Sequence, residues 1–152
     1  MTELHKKADF YLLATPAPES MYTFACRLTE KVASLGKRIF FLCRDEEQLT
    51  QLDDLLYSFR PDSFLPHTIK DQADGLTSII LGLEPPQQFQ PEVLFNFQSE
   101  SALKLPPHSG LQEYRVVELV LNTSAEKHIA RLKFKGYKEA GFEMQTHHLD
   151  TA

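Results

Sequence analysis

The densest concentration of usable chemistry lies near the C-terminus, in Lys127, Arg131, Phe134, Lys135 and Lys138. Residues three and four apart share one side of a helix. Taking Lys127 as origin and advancing about 100° per residue, Arg131 falls at about 40°, Phe134 at about −20°, Lys138 at about 20° and Lys135 at about 80°. Ile129, Leu132, Gly136 and Ala140 fall on the opposite side. They are the expected core stripe, with the glycine allowing close backbone approach. The first side mixes cations with one aromatic ring. Such a face suits a ligand that carries an anion and an apolar group, either an acidic peptide ending in a bulky residue or a single strand of nucleic acid. Residues 122–141 hold five Lys/Arg against two Asp/Glu, a net +3 in a chain of formal charge −5. Basic residues late in a helix also complement its dipole, and solvated lysines are common. Spacing alone leaves a binding face and a solvated face both open, although solvation does not account for the phenylalanine.

A second cluster is Tyr57, Phe59, Phe64, Leu65 and Pro66, between a helical and a strand pattern. Packed inward, these residues close a core edge. Facing outward, they form the apolar patch of a protein interface.

Other chemistry is poorly supported. Asp62, Ser63 and His67 could suggest a small hydrolase, but no nucleophile elbow or oxyanion hole accompanies them, so no catalytic residue is assigned. The glycines never form a phosphate-binding motif. The first strand-to-helix junction, Thr15-Pro16-Ala17-Pro18-Glu19-Ser20, contains none. Its backbone cannot easily turn N–H groups toward a phosphate, and nucleotide binding is disfavoured. Cys26 and Cys43 lack His or Cys at ligand spacing and read as small buried hydrophobes. His147 and His148 would point to opposite faces of a strand, which argues against a shared metal. No cofactor or metal is expected.

These residues need elements to position them. Residues 8–14 read as a buried strand, and a helix over 19–35 carries Met21, Phe24, Ala25, Leu28, Val32 and Leu35 as its stripe. Residues 37–43 form a strand apolar enough for burial on both faces. Asp45 and Gln48 have capping spacing for a helix ending near 57–59. Two prolines keep 59–69 from being a regular helix. Strands follow at 77–83, 93–98 and 114–121. Thr123 and Glu126 cap a helix over 124–140 that Gly141 ends, and 142–149 is an edge strand. The order implies α/β, a three-layer α/β/α fold with a mostly parallel (mixed) sheet, nucleotide-binding-like but lacking a phosphate loop.

With 152 residues, 42% apolar and 24% charged, the chain is expected to fold as one globular domain over 1–152, fraying at 1–7 and 150–152. Its negative charge excludes a surface that is a nucleic-acid footprint all round. The start has no apolar signal region, and the longest apolar run, 39–43, is too short for a membrane span. A cytoplasmic protein is expected.

Several segments, in order and at matching spacing, resemble the chi subunit family of bacterial DNA polymerase III. They are Phe10-Tyr11-Leu12-Leu13, Gly36-Lys37-Arg38-Ile39, Asp45-Glu46 with Leu52-Asp53, Ser63-Phe64-Leu65-Pro66-His67, and Lys135 to Phe142 (KGYKEAGF). Residues 70–113 match only in strand pattern. The resemblance implies a non-catalytic accessory subunit of a DNA-directed DNA polymerase. It implies one-to-one pairing with the psi subunit, through which the clamp loader is reached. It also implies binding to the acidic C-terminal tail of single-stranded-DNA-binding protein, which ends in a phenylalanine carboxylate. Contact with nucleic acid would be mainly indirect. The tail would take Val120, Lys127, Arg131, Phe134, Lys135 and Lys138, and psi would take Tyr57, Phe59, Phe64, Leu65 and Pro66. Phe134 stands where the family often has tyrosine, and Tyr57 where tryptophan is common. The alternative function is a direct single-stranded nucleic-acid-binding module using the same helix.

Overall fold

The structure, a computed structural model, describes residues 4–58, 68–69, 79–106 and 110–149. The elements run β1 (His5–Leu12), α1 (Pro18–Ser34), β2 (Ile39–Leu42), α2 (Glu46–Ser58), β3 (Thr68–Ile69), β4 (Ile79–Gly82), β5 (Val93–Asn96), β6 (Glu113–Val120), α3 (Ser124–Glu139) and β7 (Glu143–His148). The strands form one seven-stranded sheet in the order β3-β4-β2-β5-β6-β1-β7.

Every described strand pair is parallel, so the sheet is not mixed as expected. The connections before β5 and β6 carry no helix among the described residues. The first spans only residues 83–92 and passes β2, while the second, residues 97–112, has the length that a crossover between the parallel β5 and β6 needs. The second of them packs Ala102 and Leu105 against the same core as Tyr137 of α3.

Alternation along the central strand builds two cores. Ile39 and Phe41 of β2 face α1 and α2, together with Ala25, Cys26, Leu52 and Leu56. Phe40 and Leu42 face the other way, together with Phe10, Val116 and Tyr137. All four β2 residues are buried, which explains the unbroken apolar run. The result is three layers, with α1 and α2 on one face of the sheet and α3 on the other.

Local signals set most boundaries. Asp45 Oδ1 accepts the Gln48 N–H at 2.8 Å, and Gln48 Oε1 accepts the Arg44 N–H at 2.7 Å. Thr123 Oγ1 accepts the Glu126 N–H at 3.1 Å. Gly36 and Gly141 follow α1 and α3 at φ +78° and +88°, where a side chain would be strained.

Two readings need correction. Residues 5–7 belong to β1 and are not a frayed end. They are held by β6 on one side, and from Lys7 onward by β7 on the other. Thr68–Ile69 forms a short edge strand, at the end of the stretch from which a regular helix was excluded. The buried face of α1 is Tyr22, Ala25, Cys26, Thr29 and Val32, while Leu35, at the C-cap, is 68% exposed. No helix among the described residues is long and apolar enough to cross a membrane.

Candidate peptide-binding groove

The C-terminal helix sits rotated from its expected setting. Lys133 and Tyr137 are its buried residues, and Ala130, Phe134 and Ala140 pack half-buried against the core below. Leu132, expected in the core stripe, is 61% exposed. The periodicity misleads because a lysine occupies a core position. Lys133 Nζ donates to Glu118 Oε1 at 2.9 Å, and Glu118 Oε2 accepts from the Tyr137 hydroxyl at 2.6 Å and the Asn96 amide at 2.7 Å. The Tyr137 oxygen in turn accepts the Ala102 N–H at 2.9 Å. Burial pushes the Glu118 carboxyl above its ordinary range, opposed by Lys133 and by the hydrogen bonds. Sequence reasoning missed this network. Its one signal was a glutamate inside the otherwise apolar end of the β6 strand, which demands a buried partner. Gly136 does permit a close approach, but to a loop. A Cβ there would lie 2.8 Å from Ser101 Oγ.

With α3 so placed, a groove of about 540 Å³ opens between it, β1 and the end of β7. Phe10, Leu12, Val120 and Phe134 give it an apolar lining. The Phe134 ring leans on Phe10, with centroids 5.5 Å apart and planes at 55°. Its half-burial explains a ring among cations, since one side belongs to the core. Lys127 and Arg131 are exposed where they line the groove, and neither side chain makes a hydrogen bond or ion pair to a described residue. Thus Val120, Lys127, Arg131 and Phe134, named from sequence, meet in one concavity. Lys135 and Lys138 are exposed on the same helix but do not line it. Sequence reasoning missed Phe10, Leu12, Leu13, Asn122, Thr146, His148 and Leu149, and the last three reach the groove only through the β1–β7 pairing.

The arrangement can hold one apolar side chain while the exposed cations meet negative charge beside it. Carboxylates placed there gain charge-assisted hydrogen bonds, and an Arg fork can grip one in bidentate fashion.

The other candidates fare differently. Tyr57, near the end of α2, is 51% exposed. Phe59, Phe64, Leu65 and Pro66 lie outside the described residues, as do Asp62, Ser63 and His67. Cys26 and Cys43 are buried and free, and burial pushes both thiols up to about 12. Among the described residues no group of three or more His, Cys, Asp or Glu could hold a metal ion.

Comparison with known proteins agrees over nearly the whole chain. The family described as DNA polymerase III chi subunit, HolC, matches residues 5–145. The DNA polymerase III subunit chi of Pseudomonas aeruginosa is 35% identical over 143 residues, covering 94% of this chain and 96% of its own length. The subunits of the same name from Haemophilus influenzae and Escherichia coli are 27% and 25% identical over 147 residues, each covering 93% of this chain. They are covered over 96% and 97% of their own lengths.

Proposed function

The chain belongs to the DNA polymerase III chi subunit family, and from that premise we propose that it is a non-catalytic adaptor whose groove binds the acidic C-terminal tail of single-stranded-DNA-binding protein. The tail's terminal phenylalanine enters between Phe10, Val120 and Phe134, and its carboxylates meet Lys127 and Arg131. Lys135 and Lys138, outside the groove, act at longer range by steering the acidic tail toward the helix, which makes association salt-sensitive. The observation that carries the reading is an apolar concavity flanked by two cations whose side chains have no partner among the described residues.

The test is Arg131→Ala. Its exposed side chain leaves the fold intact. Losing a hydrogen bond to a charged group costs about 1.5–3 kcal/mol, which weakens tail binding by roughly one to two orders of magnitude. Equal affinity in wild type and variant would overturn the reading.

The same adaptor is joined to the clamp loader through psi, paired one-to-one on the surface that includes Tyr57 and Phe64. Phe64→Ala should lose copurification with psi and keep tail binding. A variant that still copurifies fully would contradict this assignment. Direct binding of single-stranded nucleic acid is the weaker reading, because one aromatic ring and a net +3 over residues 122–141 make a short footprint.

A further inference from the structure

Strand β7 gives the groove a side that α3 cannot supply. Its adjacent histidines point to opposite faces of the sheet, as alternation along a strand requires. His147 stacks on Tyr11, with centroids 4.4 Å apart and planes at 11°, and its Nε2 lies 3.5 Å from Asp9 Oδ1. Tyr11 in turn packs on Phe24 of α1, so this pair belongs to the α1 layer. His148 turns the other way and lines the groove. Its place is fixed by parallel pairing, in which it stands beside Leu12, and by the Leu149 N–H donating to the Leu12 carbonyl at 3.0 Å. The His148 ring is exposed, and neither nitrogen bonds a described residue.

We propose that His148 is a specificity-determining residue of the groove, binding a carboxylate of the acidic peptide from the β7 side. The inference rests on the peptide-binding reading above and assigns the second side of the same site. A side chain seated on Phe10 and Val120 leaves the peptide backbone along the lip, with its carboxylates distributed to either side. Those toward α3 meet Lys127 and Arg131. One directed toward β7 would otherwise lose water against Leu12 and Leu149, which is costly for an ion. The imidazole there donates through one ring nitrogen when neutral and through both when protonated. His147 acts as its positioning residue, because its contacts with Tyr11 and Asp9 pin β7 to β1.

The experiment compares the full-length wild type with His148→Ala and His148→Gln. Three labelled peptides serve as probes: an acidic peptide ending in phenylalanine with a free carboxylate, the same peptide with an amidated terminus, and one with its acidic side chains converted to amides. His148→Ala should bind the first peptide severalfold more weakly than wild type, and His148→Gln, which keeps a donor, should lose less. The loss should vanish on whichever altered peptide lacks the recognised carboxylate, since two changes that remove one contact are not additive. Wild-type affinity of His148→Ala for all three peptides, or an equal loss on all three, overturns the inference while leaving the groove reading in place. Failure of the wild type to bind the first peptide at low salt overturns the groove reading itself.

Discussion

Lys133 Nζ lies 2.9 Å from Glu118 Oε1, forming an ion pair buried between the C-terminal helix and the sheet. The pair sets the rotation of α3. With Lys133 turned inward, Ala130 and Phe134 face the groove side of the core and Leu132 faces out. Removing one partner leaves an uncompensated buried charge, at a cost of about 3–5 kcal/mol. Lys133→Ala should therefore lose about that much stability in urea denaturation, far more than Lys135→Ala on the exposed face. Equal losses in the two variants would contradict the assignment.

The same glutamate gives a pH dependence with a definite sign. Burial raises the Glu118 carboxyl above its ordinary 4.5 in the folded state. Between that value and the raised folded one, the native carboxyl holds a proton that the unfolded chain has released, and above the folded value it is the carboxylate that pairs with Lys133. The contribution of this residue to stability is thus full at low pH and falls as pH rises toward the folded value. Glu118→Gln cannot titrate, so it should gain on wild type as pH rises above about 5, read from urea midpoints. A wild type that gains on the variant over that range would refute the assignment.

Cys26 and Cys43 should be chemically silent. Their thiols are pushed up to about 12 by burial, and only a thiolate reacts readily. Ellman's reagent at mildly alkaline pH should leave the native protein unmodified and titrate both thiols in denaturant. Rapid native reaction would show that one of them is accessible.

Gly136 is required by a neighbour rather than by its own backbone. A Cβ would lie 2.8 Å from Ser101 Oγ, which donates to the Lys133 carbonyl at 3.3 Å, but 3.5 Å from Ser101 Cβ. With Ser101→Ala in place, Gly136→Ala should stabilise by about 1 kcal/mol, the helix preference of alanine over glycine. In the wild-type background the gain should be smaller or reversed. Identical effects in both backgrounds would mean that the serine does not constrain the helix.

The sequence made the layer order readable wherever local chemistry decides. Thr123, Asp45, Gly36 and Gly141 mark helix ends through hydrogen bonds or φ values confined to a few residues. Phe40 and Phe41 reveal a strand buried on both faces. Half of the groove was readable for the same reason, because Lys127, Arg131 and Phe134 are helical neighbours. The other half was not. Phe10 reaches α3 through the parallel pairing of β1 with β6, and His148 and Leu149 through that of β1 with β7, where the paired residues are far apart in sequence. The rotation of α3 was misread because a lysine scores as polar whatever lies beneath it, and Glu118 lies beneath Lys133.

The central claim is that the groove reads an acidic tail by its terminal aromatic residue. The most direct measurement titrates the protein with a labelled peptide carrying the tail of single-stranded-DNA-binding protein, with and without its terminal phenylalanine, across salt concentrations. The account predicts saturable binding that requires the phenylalanine and weakens as salt rises. Absence of binding at low salt, or equal binding by the peptide lacking the phenylalanine, would contradict it.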